Sequence, residues 1–465
     1  MTYRLNGGGQ MYSLSLDIGT SKIGLLAFDL SNLGVVSLVS APNTTGIKSI
    51  DPLNGEQDPE KIWEITQHLF VQLKQSGVDF TSVASLALTG QMHGILLIDA
   101  KGKPHSNLIT WRDARYGVEK DADTHFVTNG CHLQQGYGGT SLVGLKKTGF
   151  DFTDLRVCTI ASFIVGKLCG NYGIDDTSAA SLGLYNLEAS DWNHEQIEEL
   201  GLPLSLFPRI GQACTVAGTI RAPVALFLGL PKETVICFPI GDNQASYLGA
   251  VGFSNTCLIN IGTGGQLSRS STVIMCKDSI ETRPLPGGKF LQVYSSLCGG
   301  WAYAYLKDFC KDLLAIFGHE TDDDVIYATL DALALAEEGK SGLCVDTRFM
   351  GLRGEENTVF GSIKGINTKN FRIGSLAYGF LEGMVGELQQ SRLADDRLAY
   401  IVASGNAVRK NALMRGIIEK QFNCPCILPP FGEEAAVGAA IGCAVYGVGN
   451  LSKIDIQSRI FSQDI

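Results

Sequence analysis

From Leu14 to Asp29 the chain reads LSLDIGTSKIGLLAFD, two runs rich in Leu, Ile and Phe interrupted by an acid, a glycine and two hydroxyls. Apolar arms around a short polar interruption predict strand, turn and strand. Roughly half a chain later, CLINIGTGGQLS repeats the arrangement, with Ile-Gly-Thr again after a strand-like run. Two similar hairpins predict two similar domains. Between them, VASLALTGQMHGILLID predicts another apolar hairpin, CTIASFIVGKLCG an apolar helix, and TVICFPIGDNQASYLGAVG a strand turning sharply into a helix. After the second hairpin, TDDDVIYATLDALALAEEGKSG predicts an amphipathic helix, with acids in its first turn and Gly beyond its last. The uncharged AAVGAAIGCAVYGVG is short and studded with Ala and Gly, which predicts a buried helix packed closely on a neighbour and not a membrane span. The alternation is that of an α/β protein. With no Pro- or Ser-rich linker to mark it, the boundary is placed near residue 246, giving domains 1–246 and 247–465 with a ligand cleft between them.

Composition agrees with this division, because 465 residues exceed what one core usually supports. The 55 glycines point to close backbone approaches. A formal net charge of −10 provides no electrostatic footprint for nucleic acid or an anionic membrane, so any phosphate would be met by local groups and a metal. Thirteen scattered cysteines, an odd number, fit free thiols in a reducing compartment, the cytoplasm. Cys424 and Cys426 lack a second pair at metal spacing and read as part of a buried strand. The N-terminal MTYRLNGGGQ has no charged start followed by an apolar run, and reads as a flexible tail instead of a signal peptide.

Candidate chemistry concentrates at the turns. In DIGTS, Gly19 lets the backbone approach an anion, Thr20 and Ser21 can donate to phosphate oxygens, and Asp17 can hold a hydrated Mg²⁺; a plain hairpin with a polar tip is the structural alternative. Asp242, at the head of a helix after a buried strand, can cap that helix or accept a proton from an alcohol that attacks a phosphoryl group. Gln91 and His93 in GQMHG, and Trp111, Arg112, Asp113 and Arg115 in TWRDAR, supply the flat faces and paired polar groups that a polyol needs. Each loop also fits an ordinary surface loop, and Asp176 fits a helix cap.

Taken in order, DIGTS, TGQMHG, TWRDAR, DDTSAAS, IGDNQAS, NIGTGGQ, GGW and ASGNAVRKNALM, spread over nearly the whole chain, resemble the FGGY family of carbohydrate kinases. The wording of GQMHG and LITWRDAR is similar to that of members acting on ketoses, sedoheptulose first and xylulose as the alternative. The resemblance implies two actin-like, ribonuclease H-like ATPase domains closing on ATP, Mg²⁺ and a small-molecule ketose, in a monomer or homodimer that binds neither nucleic acid nor membrane. It implies Asp17 as the Mg²⁺ ligand and Asp242 as the catalytic base. Gln91, Met92, His93, Trp111, Asp113 and Asp176 would line the sugar pocket with Asp242. Gly19, Thr20, Ser21, Gly262, Thr263 and Gly264 would face the phosphates, Gly299 and Gly300 would lie along the nucleotide, and Ser404, Gly405, Asn406 and Asn411 would hold its adenosine portion. One position departs from the pattern. Where the family carries Lys or Arg seven residues after the first acid, this chain has Gly24, with Lys22 two residues earlier on the same strand face. That departure leaves a non-catalytic sugar or nucleotide sensor of the same fold as a further reading.

Overall fold

The computed structural model describes residues 10–117, 133–275, 280–351, 360–391, 393 and 398–461; the N-terminal tail expected from MTYRLNGGG lies outside them. The first sheet contains β1 (Tyr12–Ile18), β2 (Lys22–Asp29), β3 (Gly34–Pro42), β4 (Val83–Gly90), β5 (Val216–Thr219), β6 (Val235–Cys237) and β7 (Ile240–Gly241). They run in the order β5-β6-β4-β1-β2-β3, with β7 also on β4. The second sheet contains β8 (Cys257–Ile261), β9 (Gly265–Ser271), β10 (Ile280–Leu285), β11 (Lys289–Ser296), β12 (Ile401–Ser404) and β13 (Cys426–Ile427), in the order β10-β11-β9-β8-β12-β13.

The repeat seen in the sequence is a repeat of topology. β1 pairs antiparallel with β2 and parallel with β4; β8 pairs antiparallel with β9 and parallel with β12. The expected hairpin in VASLALTGQMHGILLID does not form. β4 lies parallel to β1, whereas Leu96–Asp99 pairs with Leu155–Cys158 in a separate two-stranded sheet. The intervening turn, where His93 adopts φ 70°, carries the chain out of the first sheet.

Strands buried on both faces need cover on both faces. Over the first sheet lie α1 (Pro59–Gln75) and α2 (Ile160–Cys169), which contribute Ile62, Leu69, Phe70, Phe163 and Leu168 to a core with Leu14, Leu16 and Leu25. The chain then forms α3 (Asp176–Ser181) and α4 (Asp242–Val251). Over the second sheet lie α5 (Gly300–Ile316), α6 (Asp323–Ala336), α7 (Ile373–Gln390) and α8 (Ala412–Phe422), packed on Ile259, Ile261 and Leu267. The small-residue segment forms α9 (Glu434–Gly442), which returns to the first sheet and packs on Leu26 and Phe28. Its partner α4 backs onto the second sheet through Tyr247 and Leu248, beside Leu258, Leu291 and Val402. These two paired helices therefore form a spine between the sheets, and residue 246 lies within one of them. Of the cysteine pair, Cys424 is buried and Cys426 begins β13; both are free thiols.

Candidate active site

The two hairpin tips stand at corresponding ends of β1 and β8. At the first, a Cβ on Gly19 would come within 2.7 Å of the Lys22 carbonyl, so only glycine fits the turn. Asn43 secures the tip, its Nδ2 donating to the Gly19 carbonyl at 2.9 Å and its N–H to the Ser21 carbonyl at 2.9 Å. The Thr20 hydroxyl donates to Gln91 Oε1 at 3.0 Å and accepts from Trp111 Nε1 at 2.9 Å. Gln57 Nε2 donates to the Thr20 carbonyl at 2.9 Å, and Gln91 Nε2 donates to Gln57 Oε1 at 2.8 Å. The polar tip is thus braced from three loops.

Asp17, Gly19, Thr20, Met92, His93, Trp111 and Asp242 line one cavity of about 480 Å³, and its far wall includes Asn260, Gln266, Ser268 and Arg283. The two carboxylates share that space. Burial pushes the Asp17 carboxyl up to about 7, Asp242 and Glu433 add to the rise, and Lys22 opposes it. Burial lifts Asp242 to about 6, against the pull of the Asn243 amide and the Arg283 guanidinium. No hydrogen bond or ion pair reaches the Asp17 carboxylate among the described residues. Asp242 is not a cap. Gly241 occupies the N-cap position of α4, and Asp242 Oδ1 accepts its neighbour's N–H, from Asn243 at 2.7 Å.

His93 is held in its left-handed backbone conformation by Ser181, whose hydroxyl accepts the His93 N–H at 3.1 Å. The ring Nδ1 lies 2.7 Å from the Ser181 carbonyl and the ring stacks on Tyr137 at 4.2 Å. A proton on Nδ1 makes Nε2 the acceptor nitrogen. Trp111 is 46% exposed and presents a flat apolar face at the cavity mouth.

Three of the expected sugar contacts are not in the cavity wall. Gln91 is buried and its amide serves Gln57 and Thr20. Asp113 is buried under Arg115, which bridges it to Glu56, and accepts the Gly55 N–H at 3.0 Å. Asp176 accepts from the Ala213 N–H at 3.0 Å, while its neighbour Asp175 caps α3. Burial and the Asp175 charge push Asp176 up to about 7. These groups are held by partners within the protein and shape the wall from behind. Ser21 is exposed outside the cavity wall. Lys22 pairs with Glu433 at 3.1 Å, half-exposed and also outside that wall.

On the second half the glycines meet one another. A Cβ on Gly299 would overlap Gly264, one on Gly300 would meet the Gly262 carbonyl at 2.5 Å, and one on Gly405 (φ 94°) would overlap the Ile261 carbonyl. The Gly300 and Trp301 N–H groups donate to the Gly262 and Thr263 carbonyls at 2.9 and 3.1 Å, which fixes the start of α5 on the tip. Ser404 lies beside Asn260 in register. Gly262, Thr263 and Asn406 are exposed, whereas Gly299 and Ser404 are buried. Asn411 is tied into the framework, capping α8 and donating to Asp331 Oδ1 at 2.8 Å.

Sequence reasoning did not weigh Asn243, Ser246, Asn260, Gln266, Ser268 or Arg283 as wall residues. For Arg283 a signal existed: Glu281 stands two residues earlier on the same strand face, a charged pair inside an otherwise buried strand.

Among the described residues no helix is long and apolar enough to cross a membrane, and no group of three or more His, Cys, Asp and Glu could hold a metal ion. Residues 12–249 match the model of the FGGY family of carbohydrate kinases, N-terminal domain. The chain is 25% identical to mouse (Mus musculus) sedoheptulokinase over 468 residues, spanning 92% of this chain and 96% of that protein. A xylulose kinase from Rhodospirillum rubrum superposes with a TM-score of 0.84 at 22% identity, covering 97% of this chain and 92% of that one. Plasmodium falciparum glycerol kinase with ADP superposes with a TM-score of 0.81 at 18% identity, covering 99% and 94%. The architecture is the two-domain, actin-like and ribonuclease H-like fold of these sugar kinases.

Proposed function

The chain belongs to the FGGY family of carbohydrate kinases, which transfer a phosphoryl group to a sugar hydroxyl, and from that membership we propose that it phosphorylates the terminal primary alcohol of a ketose, with sedoheptulose the first candidate. The observation that carries the reading is the single cavity in which Asp17 and Asp242 face a common space between walls from both halves. Asp242 accepts the proton of the attacking hydroxyl. Its carboxyl is poised near 6, so at neutral pH it is largely ionised and still basic enough to act. His93 and Trp111 orient the sugar, with one acceptor nitrogen and one flat face. The tip at Gly262–Gly264 receives the nucleotide: a Cβ on Gly262 would meet nothing within 4 Å, which leaves backbone there within reach of phosphates, while Gly299, Gly300 and Gly405 let main chain pack closely behind the tip.

The residues present fit Mg²⁺. Asp17 offers hard carboxylate oxygens with no hydrogen-bond or ion-pair partner among the described residues, and a site with one or two carboxylates is completed by phosphates and water. When bound, the ion would neutralise phosphate charge beside Asp17. The eleven described cysteines are free thiols, which supports a reducing, cytoplasmic setting.

A panel of five-, six- and seven-carbon ketoses with Mg-ATP, scored by ADP release with the product position read by NMR, tests this reading. Sedoheptulose should have the highest kcat/KM, with phosphate on its terminal carbon. A preference for xylulose would change the substrate and leave the chemistry intact, whereas tight sugar binding without ADP release would make the protein a sensor.

Lys22 allows a smaller test. Its half-exposed pair with Glu433 contributes at most about 1 kcal/mol. Because Lys22 lies outside the cavity wall and is engaged by Glu433, Lys22→Met should leave the KM for ATP within about fivefold of wild type. A rise of a hundredfold in a steady-state titration would mean that Lys22 leaves Glu433 to hold phosphate.

A further inference from the structure

Asp242 stands at the junction of two anchorages. Upstream, Gly241 is fixed to the first sheet: it pairs with Gly90, its N–H donates to Thr177 Oγ1 at 2.8 Å, and a Cβ there would meet Met92 Sδ at 2.7 Å. Downstream, the Asn243 N–H holds Asp242 Oδ1 at 2.7 Å, while the Asn243 side chain reaches the second sheet at both ends. Its Nδ2 donates to Gln266 Oε1 on β9 at 2.9 Å, and its Oδ1 accepts from Arg283 Nη1 on β10 at 3.1 Å. Arg283 is itself 8% exposed, and the other edge of its guanidinium, Nε and Nη2, is held by Glu281 Oε2.

We propose that Arg283 and Gln266 are positioning residues that fix the Asp242 carboxylate through Asn243, so that the base is aligned only while the second sheet is seated against the start of α4. The proposal rests on the reading of Asp242 as the base. A guanidinium suits the task because its planar fork serves two partners along two edges, which an ammonium on a flexible stem does not reproduce. Both ends of the Asn243 amide are engaged by protein groups, so the network is complete before any sugar arrives. Glu281 also offsets the Arg283 charge, so the guanidinium acts as a brace and the wall does not draw in an anionic acceptor.

Displacing a reacting group by about 1 Å can lower a rate by about 10². The test uses the full chain as wild type and as Arg283→Met, Arg283→Lys, Asn243→Ala and the Arg283→Met/Asn243→Ala double variant. Without ligand, hydrogen-exchange mass spectrometry of a peptide covering residues 242–251 should show faster exchange in the first turn of α4 in Arg283→Met and Asn243→Ala, with other peptides unchanged. With Mg-ATP and the preferred ketose, kcat should fall by about 10–100-fold while the ketose KM stays within about threefold. Arg283→Lys should recover little of kcat, and the double variant should be no slower than Asn243→Ala alone. A ketose KM raised tenfold or more with kcat retained would overturn the proposal in favour of direct sugar contact. Unchanged exchange together with unchanged kcat would also overturn it. If wild type phosphorylates no ketose, the functional reading fails, and the exchange result alone decides whether the brace exists.

Discussion

Asp242→Asn is expected to lower ketose phosphorylation by about 10²–10⁴-fold while the protein still binds ATP. The substitution keeps the size of the side chain, and the Asn243 N–H can still donate to the amide oxygen. What is lost is the group that takes the alcohol proton. Because Gly241, and not Asp242, occupies the N-cap position of α4, the helix start should survive. Stopped-flow ADP release with saturating ketose measures the loss, and calorimetric ATP titration checks that the nucleotide surface is intact. Turnover within threefold of wild type would remove Asp242 from the reaction.

The same variant should be more stable than wild type at alkaline pH when Mg²⁺ is absent. Burial raises the folded-state Asp242 carboxyl from the ordinary 3.8 to about 6, so ionising it works against the fold. Below pH ~4 both the folded and the unfolded protein hold the proton, and the carboxyl imposes no penalty. As pH rises through 6 the folded protein must give up a proton that the unfolded chain released earlier, and stability falls by an amount on the order of 2–3 kcal/mol. The Asp242→Asn protein escapes this loss, and its neutral amide also relieves Asp17 of a neighbouring charge. Urea titrations at pH 8 and pH 4 should therefore show a stabilised variant at the first pH and near-equality at the second. Equal stability at both would mean that the carboxylate is better solvated than its burial implies.

The two hairpin tips are legible in the sequence because turn chemistry is local: Gly19 and the Gly262–Gly264 run mark places where backbone must pass close to something else. The helix start at Asp242 and the small-residue helix after Glu433 are legible for the same reason. Partnership over distance is not. The run Val83–Gly90 reads as a strand in any context, but its apolar period cannot say that it pairs with Tyr12–Ile18 and leaves the nearby Leu96–Asp99 to another sheet. Asp113 and Trp111 sit two residues apart in one motif; only the placement of Arg115 and Glu56 shows that Asp113 is consumed by an internal ion pair while Trp111 reaches the cavity. Arg283, Asn243 and Gln266 come from three elements, and what joins them is the seating of one half against the other, which no local pattern encodes.

That seating depends on a helix crossing, and a methyl group placed there should have the largest effect on stability. At the contact between α4 and α9, a Cβ on Gly438 would overlap the Ala245 carbonyl and one on Gly249 would overlap the Glu434 carbonyl, so the two backbones touch at a reciprocal pair of glycines. The obstacle in each case is main chain in the first turn of the facing helix, which cannot rotate aside as a side chain can. Gly438→Ala must therefore push the helices apart and unpack Leu26, Phe28 and Tyr247 from the layers on either side. Overpacking of side chains typically costs about 1–3 kcal/mol; with backbone as the obstacle, the loss should lie at or above the top of that range. Because α4 carries Asp242, whatever fraction folds should also show a reduced kcat. Gly416→Ala on α8 is the control, since nothing lies within 4 Å of its Cβ. There the exchange should stabilise by about 0.5–1 kcal/mol through helix propensity. Thermal and urea melts of the two variants should move in opposite directions from wild type, and a Gly438→Ala protein as stable as wild type would show that α4 and α9 do not meet backbone to backbone.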